Sequence, residues 1–417
     1  MTGNSPALDA SLKRFEGLYP DVIELSLGRV LAALEALGRP QDRLPPVIHV
    51  AGTNGKGSTC AFMRSMAEAA GLSVHVFTSP HLVRFNERIR LAGDLVDDAR
   101  LIGWLDRTFD AIASGQITHF EATTAAAILA FSEVPADLLI LEVGLGGRFD
   151  ATNVIDSPAL SVITPVDFDH KAFLGSDLRS IAGEKAGIIK KGRPVLSAIQ
   201  RKVCEDVISR KAAAEGAPLY RLKTHFVDAM PEDLALIGEH QRSNAALAAM
   251  AMQLFGNSVR VPQEAIFRGA REARWPARMQ RLKPGPVTAM AEGCDVWLDG
   301  GHNPHAARAI ARHLNSLGGK TALVTAMLAS KDSVGFFMPF RYLKPPVFTM
   351  PNAAGHIGAD PLQLAEAAHT AGLEATACAG LADAMHAAAA SGADRVLICG
   401  SLYLAGIVLG ENREPPE

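Results

Sequence analysis

The chain has 417 residues, 48% of them apolar and 20% charged, with a formal net charge of −3. That length exceeds one ordinary core and implies two or three domains. The near-balanced charge removes any bulk electrostatic case for nucleic acid. The N-terminal stretch holds Asp9, Lys13, Arg14 and Glu16 without an apolar run, so no signal peptide is read there. Cys60, Cys204, Cys294, Cys378 and Cys399 stand far apart with no C-x-x-C pair, which argues for reduced thiols in the cytoplasm. The most apolar stretch, Val396 to Gly410, is 15 residues long. It falls short of the ~20 needed to span a bilayer and reads as a strand running into a helix.

In chain order, residues 9–18 and 22–37 predict helices, the second closed by Gly38 and Pro40, with Leu27, Val30, Leu31, Leu34 and Leu37 on one face. Residues 47–50 predict a short buried strand. Gly52, Gly55 and Gly57 follow within six residues, then Ser58 and Thr59 as N-cap residues and an apolar-periodic helix ending at Gly71. Strand, glycine loop and helix N-terminus form a phosphate-binding geometry, with free backbone N–H groups and the helix dipole aimed at the anion. Lys56 adds charge for the terminal phosphates, and Ser58 or Thr59 offers a hydroxyl to magnesium. The strict P-loop pattern has four residues between the glycines and Lys directly before Ser. Here Thr53 and Asn54 alone separate Gly52 from Gly55, and Gly57 follows Lys56, so a plain glycine turn before a helix stays open.

Residues 73–77 predict a strand that ends in Thr78, Ser79, Pro80 and His81. An Ala-rich helix opens at Thr118 to Thr123. Residues 138–143 form an apolar strand carrying one carboxylate, Glu142. A lone buried charge needs a partner, and a divalent metal is the natural one. Residues 160–165 predict another strand, followed by a helix over 177–188, a strand at 194–198, a helix over 201–215 and a β-like run at 219–227. Gly238 begins a long Ala-rich helix. Lys283 to Pro286 reads as a linker. Beyond it strands near 296–298, 321–325, 347–349, 375–378 and 396–399 alternate with helices, which implies a second α/β sheet. The fold class is therefore α/β: an N-terminal P-loop-type, mostly parallel sheet over residues 1–284, and a smaller Rossmann-like α/β domain over 285–417.

G-T-N-G-K-G-S-T at 52–59 resembles the nucleotide loop of the Mur ligase superfamily. With Gly57 it is similar to that of folylpolyglutamate synthase and its bifunctional form, dihydrofolate synthase. The likeness continues through T-S-P-H at 78–81, F-E-x-x-T at 120–124, E-V-G-L-G-G-R-F-D-A-T-N at 142–153, D-H with L-G at 169–175, E-K-A-G at 184–187, H-Q-x-x-N at 240–244, and D-G-G-H-N-P at 299–304. The resemblance implies an ATP-dependent ligase that joins L-glutamate to dihydropteroate or a reduced folate through an acyl phosphate. It implies nucleotide contacts from Gly52 through Thr59 and from Asn244, Arg278 and Asp299. It implies two magnesium ions, the first held by Ser58, Ser79 and Glu142, the second by His170 and a carbamylated Lys185. Lys56, Glu142, His170 and Lys185 would be catalytic. Leu25, Gly28, Arg29, Phe120, Glu121, Thr123, Phe149, Asp150 and Ala151 would line the pteroate pocket, and His302 and Ser401 the glutamate site. A cytoplasmic monomer with small-molecule partners alone, and no nucleic acid or membrane, is expected. Gly301 departs from the usual Ala, and residues 352–356 lack the arginine segment of many relatives. A Mur-type peptidoglycan ligase, a monofunctional folylpolyglutamate synthase and a non-catalytic P-loop switch stay open as alternatives. The peptidoglycan reading is weakened because only 46 residues precede Val47. The switch would not need the Asp299 segment.

Overall fold

The computed structural model describes residues 3–16, 18, 26–112, 117–255, 261–351 and 357–416. Leu25 and the 352–356 segment lie outside them. The protein is α/β and divides into two compact units. The first comprises Met1–Asp167, Leu174–Ala235 and Arg242–Arg274; the second comprises Phe168–Phe173, Leu236–Gln241 and Trp275–Glu417.

The first unit carries an eight-stranded sheet. Its strands are β1 (Val47–Ala51), β2 (Val74–Phe77), β3 (Ile89–Leu91), β4 (Asp94–Leu95), β5 (Leu138–Glu142), β6 (Leu160–Ile163), β7 (Val195–Ser197) and β8 (Leu219–Arg221). The order is β4-β3-β2-β5-β1-β6-β7-β8. All pairings are parallel except the β2–β3–β4 meander. β1 and β5 are buried at every position, as strands covered on both faces must be. In register Val50 pairs with Glu142, which brings the ends of β1 and β5 together. Above the β2 side, the helix His119–Glu133 packs its alanines, Ile128, Leu129 and Phe131 into one core with Leu101, Trp104, Val30 and Leu34.

The second unit carries six strands: β9 (Gln280–Arg281), β10 (Asp295–Leu298), β11 (Thr321–Thr325), β12 (Val347–Thr349), β13 (Ala375–Ala377) and β14 (Arg395–Cys399). Their order is β13-β12-β11-β14-β10-β9, with only β9 antiparallel. β14 enters between β10 and β11, so the loops after these three strands meet at one carboxyl edge.

Several local expectations are corrected. Among the described residues the N-terminal helices run Pro6–Lys13 and Gly28–Ala36, and Leu31 is 42% exposed, so the apolar stripe is narrower than the pattern suggested. Residues 219–227 split into β8 and a short helix, Thr224–Asp228. Lys283 to Pro286 is no linker: Lys283 N–H donates to Glu414 and Val287 N–H to Asn412 Oδ1, both inside the second unit. The apolar 396–410 stretch is β14 running into the helix Leu402–Glu411. Among the described residues no helix is long and apolar enough to cross a membrane.

Candidate active site

From β1 the chain crosses to β2 on one side, and from β5 it later crosses to β6 on the other side of β1. In an open parallel sheet the crevice outside the strand ends opens where connections diverge in this way. There β1 runs into Gly52, at φ 153°, and Gly55, at φ 84°. A Cβ on Gly52 would stand 1.8 Å from Thr164 Oγ1, and one on Gly55 2.5 Å from Asn244 Oδ1. Glycine is therefore required twice, by backbone angle and by close approach. The same close approach places Asn244 against the loop.

Two expectations change here. The amides of Thr53 and Asn54 are turned inward, both donating to Pro165 O at 3.0 and 3.3 Å, while Thr53 Oγ1 donates to Asp167 O. These residues brace the loop rather than offering N–H groups to an anion. The helix Lys56–Ala69 starts at once after Gly55 and has no side-chain cap. Ser58 and Thr59 thus lie inside its first turn instead of capping it. An uncapped helix start at a sheet's carboxyl edge is where an anion is favoured.

Glu142 closes β5 and is 4% exposed; Ser79 N–H donates to its Oε2 at 3.3 Å. Cys60, in the helix after Lys56, shows how close the groups are. Burial pushes its thiol well up, Glu142 adds to the rise and Lys56 opposes it. Lys56 Nζ donates to Gly52 O at 3.2 Å, and Lys185 Nζ donates to the same carbonyl at 2.9 Å. Lys56, Ser79, Glu142, Lys185 and Asn244 are therefore gathered about one loop.

Lys185 reaches it because two glycine-bearing segments interlock. A Cβ on Gly147 would stand 2.7 Å from Glu184 O, and one on Gly187 2.5 Å from Arg148 Cα. Arg148 N–H donates to Glu184 O, and Asn153 Nδ2 donates to Arg148 O and Gly187 O. Backbone lies on backbone, and Lys185, 4% exposed, is aimed at Gly52.

The expected pteroate residues share this unit. Arg29 Nε donates to both oxygens of Glu121, at 3.2 and 3.0 Å. Glu121 also closes a capping box with Thr118 at the start of the helix His119–Glu133. Gly28 begins the helix that carries Arg29. The Phe120 ring lies against Gly144, whose Cβ would come within 2.5 Å of it. Phe149 is 41% exposed and free to meet a ligand. Asp150 and Thr123 are turned inward. Asp150 accepts from Leu145 N–H and from the amide and hydroxyl of Thr152, which closes its own loop. Thr123 donates to His119 O, and Ala151 is buried.

In the second unit Asp299 follows β10, fully enclosed, and burial pushes its carboxyl up against the opposing charge of Arg278. Its oxygens accept from Met279 N–H at 2.8 Å and Gly301 N–H at 2.7 Å. Ala277 and Met279 are both left-handed, so Asp299 fixes the tight turn that presents Arg278. A Cβ on Gly301 would meet Ile310 Cδ1 at 2.7 Å, which accounts for glycine there. Ser401 caps the helix Leu402–Glu411, accepting from Tyr403 N–H and Leu404 N–H. His302 Nδ1 faces Gly300 O at 2.9 Å, and its Nε2 lies 3.3 Å from Asp169. His170, left-handed at φ 50°, belongs to this unit, its Nε2 4.0 Å from Asp169. Asp169 is the residue that motif reading passed over. It also accepts from Asn303 Nδ2 at 3.0 Å and Lys331 Nζ at 2.6 Å. Burial alone would raise its carboxyl, but His302, Lys331 and His170 hold it well below the usual carboxylate range. Among the described residues no three His, Cys, Asp or Glu side chains gather as a metal group.

No family model matches the chain. Dihydrofolate synthase/folylpolyglutamate synthase of Bacillus subtilis is 37% identical over 339 residues, 74% of this chain and 76% of that protein. Among solved structures, E. coli FolC in complex with DHPP and ADP superposes with a TM-score of 0.85 at 31% identity, covering 98% of both chains. A bifunctional folylpolyglutamate synthase/dihydrofolate synthase with Mn, AMPPNP and L-glutamate bound superposes at 0.83, again 31% identical with 98% of both chains covered. Likeness of sequence and of both sheets, over nearly the whole chain, leaves no room for the peptidoglycan-ligase and switch alternatives. The chain belongs to the dihydrofolate synthase/folylpolyglutamate synthase family, ADP-forming ligases that join glutamate to folates.

Proposed function

We propose that this ligase is bifunctional, adding L-glutamate to dihydropteroate and then to reduced folates. The observation that carries the reading is the convergence of Lys56, Glu142, Ser79 and Lys185 on a glycine loop whose helix start is uncapped. The relatives support the substrate class: the Bacillus protein carries both activities in its name, and the solved neighbours hold DHPP with ADP, or AMPPNP with L-glutamate.

A carboxylate and an amine do not condense in water, because hydroxide leaves too poorly. ATP makes the carboxylate an acyl phosphate, the glutamate amine attacks it, and phosphate leaves. Phosphoryl transfer of this kind depends on positioning and charge neutralisation more than on covalent help. Lys56 and the amides of the first helical turn would neutralise the moving phosphoryl group. Asn244, Arg278 and Asp299 are assigned to the nucleotide, Asp299 through the turn it fixes beneath Arg278. Arg29, held by Glu121, and Phe120 with Phe149 are assigned to the pteroate. His302 is assigned to glutamate; Ser401 enters only through its helix cap. The folate residues and the glycine loop thus belong to the first unit, and Arg278, Asp299 and His302 to the second, whose Trp275–Glu417 segment begins ahead of the expected 284/285 boundary.

For a divalent ion the donor chemistry fits. Glu142 is a buried carboxylate beside Ser79, with the hydroxyls of Ser58 and Thr59 in the adjoining helical turn, and Thr59 Oγ1 has no partner among the described residues. Oxygen-rich ligation of this kind suits magnesium. Such an ion supplies charge neutralisation at the transferring phosphate. Metal-ligand roles are also assigned to a carbamylated Lys185 in the first unit and to His170 in the second. Carbamylation would leave Lys185 one N–H for Gly52 O and add a carboxylate beyond it, and native intact mass tests it directly. We also propose a monomer acting in the cytoplasm, in keeping with five free cysteines.

The deciding experiment measures phosphate release with dihydropteroate plus glutamate and with tetrahydrofolate plus glutamate. Release with both is expected; release with tetrahydrofolate alone would reduce the protein to a folylpolyglutamate synthase.

A further inference from the structure

We infer that Asp169 and Lys331 act as one positioning unit for the catalytic edge of the second sheet. The inference rests on the ligase reading above for the roles of His302 and His170. Phe168–Phe173 is one of two six-residue segments, with Leu236–Gln241, where the chain leaves the first unit for the second before Trp275. Asp169 is what fastens Phe168–Phe173. Its Oδ1 accepts from Lys331 Nζ at 2.6 Å, and its Oδ2 accepts from Asn303 Nδ2 at 3.0 Å and lies 3.3 Å from His302 Nε2. The side chains of Asp169 and Lys331 are 8% and 9% exposed.

One carboxylate thus joins three segments: the 168–173 excursion, the loop after β10 and the loop after β11. Every contact has a geometric result. Asn303 caps the helix Pro304–Leu317, accepting from Ala306 N–H through Oδ1, and its amide nitrogen is spent on Asp169. His302 has one ring nitrogen at Gly300 O and the other at Asp169, so its plane is fixed from both ends. The amide of His170 donates to Asp169 Oδ1 at 2.8 Å, which holds a left-handed backbone at His170. Burying such a carboxylate is costly unless a cation is paired with it. Lys331, 162 residues away in sequence, supplies that cation. Neither residue needs to touch substrate: Lys331 acts on Asp169, and Asp169 orients His302, Asn303 and His170.

The test uses the full chain with Lys331→Met, Asp169→Asn, the double variant and Lys331→Arg. Wild-type turnover with dihydropteroate, ATP and glutamate is measured first, so failure of the ligase reading is seen separately. Lys331→Met is expected to lose ~10²-fold in kcat, the scale of a site misplaced by about 1 Å. The KM for glutamate should rise while the KM for ATP holds, whereas loss of folded protein would lower kcat and leave both constants alone. The double variant should be no worse than the poorer single one, because the pair works as a unit. Lys331→Arg, which keeps the cation, should recover most of the activity. If Lys331→Met does not fold, Asp169→Asn, equal in shape, must show the same rise in glutamate KM. Full kcat in either single variant, or single losses that multiply in the double, would overturn the inference. Multiplying losses would instead put Lys331 itself on the substrate.

Discussion

The loop after β1 and the carboxyl edge of the second sheet solve the same problem with different materials. The loop is built from backbone. Pro165 O takes two amides, Gly52 O takes two lysines, and Gly52 and Gly55 have no room for a Cβ. The second edge is built from side chains. Asp169 and Asp299 each draw two or more separate segments together through carboxylate oxygens. A backbone-built site is broken by adding a methyl group, a side-chain-built site by changing a charge. A transferring phosphate gains from fixed amides at one place, whereas a small amino acid is met by side chains whose rotamers are held by others.

The largest effect should come from removing the charges that serve the loop. Lys56→Ala and Glu142→Ala should each lower ligation by at least ~10²–10³-fold, the scale seen when one transition-state donor is lost. Circular dichroism should show both proteins folded. Wild-type turnover by either would break the assignment of the loop.

Next comes a pair of glycines that separates backbone strain from site geometry. Gly55 and Gly71 have nearly equal angles, φ 84° and 83°, yet a Cβ on Gly71 meets nothing within 4 Å. Both alanine variants should lose ~1–3 kcal/mol of stability from a left-handed non-glycine. Only Gly55→Ala, which drives into Asn244, should also raise the KM for ATP. An equal KM in the two variants would mean that Asn244 does not serve the nucleotide. Gly144→Ala extends the comparison to the folate side. It should push the Phe120 ring aside and raise the KM for dihydropteroate by ~10-fold, a loss of 1.4 kcal/mol in binding, with ATP binding unchanged.

These contrasts also explain what could be read from the sequence. β1, β5 and the loop between β1 and its helix are contiguous, so apolar runs and glycine spacing carried them, and both sheets followed from the alternation of strand and helix. Ser58 and Thr59 read as caps in the sequence because hydroxyls beside a helix start normally are caps. Here a left-handed Gly55 starts the helix without one. The inward turn of Thr53 and Asn54 depends on Pro165, a partner no local pattern names. Asp169 with Lys331, and Gly147 with Glu184, are contacts between distant segments, so spacing says nothing about them. The resemblance places Asp150 in the pteroate pocket. Its oxygens in fact hold the motif's own loop.

The smallest effect is one of pH on stability, and it probes the strand that leads into the loop. His49 lies in the middle of β1. Its Nε2 is 2.9 Å from Thr152 Oγ1, and that hydroxyl donates to Asp150 Oδ1. His49 must therefore be the donor to Thr152. Burial, and then the charge of Lys190, push its pKa down to about 3 from the ordinary 6.5. Burial likewise takes His81 to about 3 and His119 to about 4. A folded pKa below the unfolded one means that the unfolded chain binds the extra proton. The neutral histidine's contribution is then complete above pH 6.5 and is lost as pH falls toward the folded value. Each such group costs up to ~1.4 kcal/mol per pH unit inside that window. The urea midpoint of the protein should fall from pH 7 to pH 5 while secondary structure at zero urea is unchanged. His49→Gln keeps a donor for Thr152 and cannot titrate, so its midpoint should fall less steeply. Parallel slopes for the two proteins would mean that β1 carries no share of the acid sensitivity.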